Sequence, residues 1–450
     1  MNIGIHTVSS QSGGAYLVDL IKQGHYTYGY ARKSDHGKQF VKTVNANGGL
    51  YLIRPAHNRN EEESGFIALG RSRVGHDLKA LIRNKDLLII AHPSHYLCET
   101  ITALKAAGIT KRPVPIVLSP SRTFAVPYLW EILGAGYPFV SFSTCPYSCK
   151  TPNVETIFIK RRKRNWVASL EGDFSRRQIK MLENLFPQAI FNRLPATTSI
   201  GNVGAVLHPA AYLLNEQAIQ QSEMAGQVFN FYKDGIAGNY EVAKTLEDID
   251  QVRLQIAKAL GLEVFGLRED PRDDEWQALI DKLRRDEAAH ADDVEDLRHI
   301  RHDHLVVINN AITSVQHWLD YTYGVRRIEG ESLQNAIGRT PTYMKNSIPQ
   351  SRYVEEDIPT GIVPLLAIAE KLNIDASPLK SILKIYHQKY PVRNGNDWRD
   401  LHQFSTDYIV DYLKGNLAPV KRRIPLRSRL RLNLEFAEPS MDPPEPPGFP

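Results

Sequence analysis

Residues 205–215 read AVLHPAAYLLN, which places one imidazole, His208, inside an otherwise apolar run. A buried imidazole must find a partner or give up its charge. His208 is therefore either a core histidine satisfied by a carbonyl or a general acid/base at the mouth of an apolar pocket. The run by itself leaves both readings open. Pro209 biases the residue before it toward extended backbone, so an extended His208 is expected.

A second stretch, HTVSSQSGGAY at 6–16, has the composition of an anion-binding turn. The usual G-x-G-x-x-G of a dinucleotide site is missing. Gly13 and Gly14 fit the last glycine of that pattern, where helix and strand pack closely. Ser9, Ser10 and Ser12 offer hydroxyls in place of the earlier glycines, and a helix start there attracts phosphate through its amides. Further on, ARKSD at 31–35 puts Arg32 and Lys33 where an acidic residue would grip the ribose of NAD. A cationic pair at that place suits the 2′-phosphate of NADP instead.

Other reactive residue types carry less. Cys145 and Cys149 make half a zinc site with no second pair to complete it, and the H-x-x-H-x-H of His299, His302 and His304 fits no common zinc spacing and reads as a solvated face. No metal site is expected. KRRKRN at 160–165 lies between the strand-like ETIFIK and NWVASL, so an exposed hairpin turn is the plain reading. KRRIPLRSRLR at 421–431 is more basic still and reads as a partner-binding or solvated extension.

The elements around these residues alternate in the first part of the chain. NIGIHTV, YTYGYAR, DLLIIAHP, PIVLSPS and FVSFST read as strands. AYLVDLIKQG reads as a helix with Gly24 as its stop. Such alternation implies a parallel sheet with helices on both faces. After about residue 190 the period becomes helical. Val252, Ile256, Ala259 and Leu260 form one stripe that ends at Gly261. Trp276, Leu279, Ile280 and Leu283 form another. Leu365, Ile368, Ala369 and Leu372 form a third, opened by Pro364. The expected fold is an α/β Rossmann-like domain over 1–190, then a mostly α-helical domain over 191–418. A basic and then Pro-rich tail, 419–450, is expected to be disordered.

Composition sets the outer limits. At 450 residues, with 42% hydrophobic and 23% charged, the chain is long enough for two ordinary globular domains. Three cysteines exclude a disulfide scaffold. No apolar run spans a bilayer and no signal sequence is recognisable, so a cytoplasmic protein is expected. A net charge of +5 accommodates anionic ligands without requiring nucleic acid.

Three segments together, IGNVGAVLHPAAYLLN at 200–215, FYKDG with IDQVRLQIAKALGL at 231–262, and SRYVEEDIPTGIVPLLAIAEKLNI at 351–374, resemble the octopine/nopaline (opine) dehydrogenase family. The resemblance covers most of residues 1–390. FVSFSTCPYSCKTPN with the basic run after it is similar to the opine-metallophore (staphylopine-type) branch. The resemblance implies NAD(P)H-dependent reductive condensation of an amino acid with a 2-oxo acid, pyruvate by default, at a site between the two domains. It implies that His208 is the acid/base group, that Asp357 is its carboxylate partner, and that Arg352 grips a substrate carboxylate. It also places Cys145 and Cys149 near the nicotinamide, whereas Glu355 and Glu356 read as ordinary acidic residues near a helix start. NADPH, an amino acid and a 2-oxo acid are the expected ligands, with no nucleic acid and no membrane; a homodimer is left open. Two alternatives stand beside this: a non-catalytic dinucleotide-binding protein of the same fold, and another two-domain NADP-dependent 2-oxo acid reductase.

Overall fold

The computed structural model describes residues 1–54, 64–70, 72–163, 165–289, 304, 306–341, 352–390 and 398–417. The strands are β1 Asn2–His6, β2 Tyr26–Tyr30, β3 Gly49–Ile53, β4 Gly65–Ala68, β5 Val74–Gly75, β6 Leu87–Ile90, β7 Ile116–Leu118, β8 Phe139–Phe142, β9 Tyr147–Asn153, β10 Thr156–Arg162, β11 Trp166–Glu171 and β12 Ala189–Asn192. Eight of them form one sheet in the order β12-β11-β8-β7-β6-β1-β2-β5. From β8 to β5 all neighbours are parallel; β11 joins β8 antiparallel. β1 therefore lies between β2 and β6, with Ile3 opposite Thr27 on one side and Leu87 on the other. The chain leaves β1 toward one side of the sheet and later returns on the other. That reversal opens a crevice at the strand ends, the usual ligand site of a Rossmann fold.

The strand sequences explain the burial. LLII of β6 and IVL of β7 are buried along their whole length, as parallel strands covered on both faces must be. Helix α1, Gln11–Lys22, lies against β1 and closes at Gly24, whose φ of +80° suits glycine. Its packing is close. A Cβ on Gly13 would lie 2.1 Å from the Thr7 carbonyl oxygen, and one on Gly14 would lie 2.5 Å from the Ile157 side chain.

The hairpin expected at 160–165 does not form. β10 pairs with β3 and β9 in a separate four-stranded sheet, β4-β3-β10-β9, whereas β11 belongs to the main sheet. The basic run therefore crosses between two sheets. The pattern of two strands about a short polar run is the same in both cases, and the partners are chosen by tertiary packing.

Beyond β12 the described chain is almost wholly helical. The three stripes read from the sequence lie on helices Tyr240–Ala259, Asp273–Ala289 and Val363–Lys371. Gly261 follows the first with φ +71°, and Pro364 sits in the first turn of the last. The Tyr240–Ala259 helix carries a buried pair, with Arg253 Nη2 2.7 Å from Asp250 Oδ1. Arg253 also donates to the Ile200 carbonyl at 2.9 Å. Asp250 in turn accepts from the Val315 amide at 2.7 Å. Every polar atom of that pair is given work, which a buried charge requires. The result fixes the entry to the Val203–Leu214 helix, which carries His208.

Candidate active site

One cleft of about 1660 Å³ runs along the strand ends. Thr7 after β1, His92 and Pro93 after β6, Ser119 and Pro120 after β7, and Thr144 and Cys145 after β8 line it. Asn202, Gly204, His208, Tyr353 and Glu356 from the helical part line it too.

At one end, Ser10 caps α1. Its hydroxyl accepts from the Gly13 amide at 3.0 Å and donates to the Ala91 carbonyl at 2.9 Å. That hydroxyl is committed to the fold, whereas Ser9 and Ser12, which also line the cleft, do not cap the helix; the Ser12 side chain is hydrogen-bonded to the Cys149 thiol. Gly13 and Gly14 serve helix packing, as the last glycine of a dinucleotide turn does, and do not border the cleft. Gln11 and Ser12, the first residues of the helix, do border it. A helix start there, brought close by a glycine with no room for a Cβ, fits a pyrophosphate.

Arg32 follows β2 and lines the cleft, with its guanidinium 5.1 Å from the centre of the Tyr96 ring. Lys33 is exposed and does not line it. Ser34 and His36 do, and His36 Nε2 is 2.9 Å from the Ser9 carbonyl oxygen. The end of β2 thus presents one guanidinium and polar groups. Asp35, the acidic residue at hand, is exposed and starts the next helix, Asp35–Asn47, away from the cleft.

At the other end, His208 Nδ1 lies 2.9 Å from Asp357 Oδ2. Asp357 is fully buried, and the imidazole is 18% exposed. A carboxylate only accepts, so Nδ1 carries the hydrogen and Nε2 is the nitrogen that can exchange one. Tyr353 stacks on the ring, with centroids 4.1 Å apart and planes inclined by 17°. The expectation of extended backbone at His208 fails. His208 is in the middle of the Val203–Leu214 helix, and Pro209 is inside it. Ala205, Val206, Ala210 and Ala211 on that helix are completely buried. Their packing outweighs the cost of a proline in a helix, about 3 kcal/mol.

Asp357 ends the helix Arg352–Asp357. Arg352 begins it, but its side chain lies outside the described residues. Glu356 is not the solvated acid expected from the sequence: it is 6% exposed, while Glu355 points to solvent. Glu356 Oε1 accepts from the Ser94 amide at 3.0 Å and from Arg122 Nε at 3.3 Å. Arg122 Nη2 is also 3.2 Å from Asp357 Oδ1. Burial would discharge Arg122, but the two carboxylates raise its pKa above its ordinary value. The sequence reading missed Arg122, Glu356 and Tyr353. For Arg122 the available signal was its place just after a buried strand, in LSPSR, where parallel sheets bind ligands.

Arg399 holds the same strand-end loops. Its guanidinium donates to the carbonyls of Ser94 at 3.0 Å, Ser121 at 3.2 Å and Thr123 at 2.7 Å.

Cys145 and Cys149 both line the cleft as free thiols. Burial pushes the Cys149 thiol up to about 12, and the neighbouring Cys145 adds to it. It stays protonated at neutral pH, so it is no nucleophile. Among the described residues no group of three or more His, Cys, Asp or Glu is arranged to hold a metal ion. His304 pairs with Asp286 at 2.6 Å, while His299 and His302 lie outside the described residues, as does the basic stretch 421–431. No helix among the described residues is long and apolar enough to cross a membrane.

Comparison with known proteins agrees with this geometry. Residues 195–390 match the α-helical domain of NAD/NADP octopine/nopaline dehydrogenases. An opine dehydrogenase of an Arthrobacter species is 22% identical over 317 residues, 69% of this chain and 72% of that protein. Protein ocs of Agrobacterium tumefaciens is 28% identical over 223 residues, 46% of this chain and 60% of that protein. The fold is also that of octopine dehydrogenase solved with NADH and L-arginine. That match has a TM-score of 0.63 at 16% identity and covers 91% of this chain and 98% of the other. Yersinopine dehydrogenase with NADP+ bound superposes with a TM-score of 0.56 at 14% identity, over 92% and 94%. Residues 195–390 thus match the family's helical domain, a parallel-sheet dinucleotide fold precedes them, and the chain is similar to octopine/nopaline dehydrogenases, oxidoreductases that act on CH–NH bonds.

Proposed function

We propose that this protein joins the amine of an amino acid to a 2-oxo acid, pyruvate by default, and reduces the resulting imine with NADPH. The observation that carries the reading is the His208–Asp357 pair, an oriented imidazole lining the same cleft as the sheet's strand ends. Residues 1–190 would bind the dinucleotide and 191–418 the substrates.

The start of α1, with Ser9 and Ser12, would hold the pyrophosphate, and Arg32, which lines the cleft where Lys33 does not, the 2′-phosphate. When bound, the dinucleotide supplies the hydride. The protein supplies the protons and the geometry. Carbinolamine collapse releases water, and the departing oxygen needs a proton. His208, as the imidazolium, gives it from Nε2 and is left as the neutral Nδ1–H imidazole, while Asp357 stabilises the charged ring before the transfer and keeps the ring oriented throughout. By the resemblance of RYVEED to the family pattern, Arg352 would grip a substrate carboxylate, as a planar guanidinium does in bidentate fashion. The opine-metallophore branch is the finer form of this proposal and concerns only which amine is used.

NADPH oxidation screened over amino acids against pyruvate, glyoxylate, oxaloacetate and 2-oxoglutarate tests the reading. Oxidation should require both an amine and an oxo acid. Equal rates without amine would make the protein a simple oxo acid reductase. NADPH binding without turnover under any pair would favour a binding protein.

A further inference from the structure

We propose that Arg122 is a positioning residue that keeps the His208–Asp357 pair in its working geometry and charge state, with Glu356 as its counterweight. The proposal rests on the reading of His208 as the proton-transfer group.

Arg122 is placed with unusual insistence. Its φ is +63°, and that of Phe124 two residues later is +54°. Neither residue adopts the left-handed region readily, so the surroundings must hold them there. They do. The Thr123 amide donates to the Thr360 carbonyl at 3.1 Å, just beyond Asp357. The Thr123 hydroxyl donates to the Ser199 carbonyl at 2.9 Å, and the Phe124 amide to the Ser199 hydroxyl at 3.1 Å. Arg399 clamps the carbonyls on both sides of Arg122. Room is also reserved on the helix that carries His208. A Cβ on Gly204 would lie 2.8 Å from Arg122 Nη1, which instead donates to Asn202 Oδ1 at 3.3 Å.

The guanidinium so placed has three edges in use: Nε toward Glu356, Nη1 toward Asn202 and Nη2 toward Asp357. Glu356 and Asp357 are consecutive and both buried. Two such carboxylates repel unless a cation lies between them. Arg122 removes that conflict and leaves Asp357 Oδ2 for the imidazole. Among the described residues, the titratable or charged groups facing the ring include Asp357 and Tyr353 from the Arg352–Asp357 helix and, through Asp357, Arg122 from the strand-end loop; the Ser94 amide shares Glu356 Oε1 with Arg122, and Arg399 holds the Ser94 carbonyl.

The test is the titration of the His208 ring by NMR in ring-labelled protein, assigned by its loss in His208→Gln, together with the pH profile of kcat. Arg122→Gln should move the His208 midpoint up by about one pH unit, since a nearby positive charge is gone. It should lower kcat tenfold to a hundredfold, with NADPH affinity within about twofold. Glu356→Gln should move the midpoint down. Combining the two should bring it back, and Arg122→Lys should stay near the parent. If Arg122→Gln does not fold, the Glu356→Gln and Arg122→Lys titrations decide. An unmoved midpoint, or a loss confined to KM for the oxo acid, would overturn the proposal and make Arg122 a substrate clamp. The NMR arm needs no turnover. An inactive parent protein would therefore count against the proposed reaction while this titration still tests Arg122.

Discussion

At the dinucleotide end, much of the cleft wall is backbone and short side chains held by partners a few residues away, with longer links such as those from Ser10 to Ala91 and from Arg32 to Tyr96. Ser10 caps Gly13, Ser34 caps Gly37, and Gly13 lies under Thr7. At the other end, His208 leans on Asp357 across 149 residues, and Glu356 meets Arg122 across 234 and Ser94 across 262. The first end resembles a mould made of main chain. The second is an assembly of long side chains brought from four separate segments. A mould tolerates side-chain change away from its glycines, whereas an assembly loses function when any member is shortened.

The largest expected effect breaks the assembly. His208→Ala should lower kcat by about two to four orders of magnitude, the usual worth of a general acid/base, with NADPH binding retained. Asp357→Asn should also be slow, and the double variant little worse than the slower single one, because the two act as a unit. Melting temperature and kcat measured on the same preparation separate this from a core histidine, which would give an unstable protein with normal turnover.

A smaller effect sharpens the contrast at the mould. Arg32→Ala should raise KM for NADPH roughly tenfold to a hundredfold, on the order of 1.5–3 kcal/mol for a lost charge-assisted contact, and leave NADH almost unchanged. A parent protein that prefers NADH would end that assignment. Lys33→Ala should do much less, since its side chain stands away from the cleft wall.

The smallest is structural. Gly13→Ala forces a methyl against the Thr7 carbonyl, main chain that cannot swing aside, and should destabilise the protein by about 1–3 kcal/mol in chemical denaturation. Unchanged stability would show that the turn has slack, and the mould description would fail.

The same contrast explains what the amino-acid sequence discloses. The alternation of strands and helices and the packing glycines follow from patterns a few residues long, and these are legible; Ser10, expected to offer its hydroxyl to a ligand, instead caps the helix. Pro209 misleads because its local preference is overridden by a buried helix face. KRRKRN misleads because strand pairing is decided far away. The dyad itself was found through family likeness, since no local rule links residues 208 and 357. Glu356 and Tyr353 were within reach. Residues 353, 356 and 357 stand at helical spacing i, i+3 and i+4, so a buried Asp357 brings both neighbours to its face. For Arg122 the place after a buried strand pointed to the cleft, but nothing near LSPSR shows which carboxylates it will meet.

The three carbonyls held by Arg399 close loops of 276 to 305 residues. Contacts that distant form late, after nearer ones have already reduced the chain's freedom. On a ribosome adding about 5–20 residues per second, roughly 15–60 s separate the emergence of Ser94 from that of Arg399. The sheet can fold in that interval, but the loops that seat Arg122 and Glu356 cannot be clamped until it ends. The nascent chain is thus a dinucleotide fold before it is an enzyme, and a residue close to its far end completes the conversion.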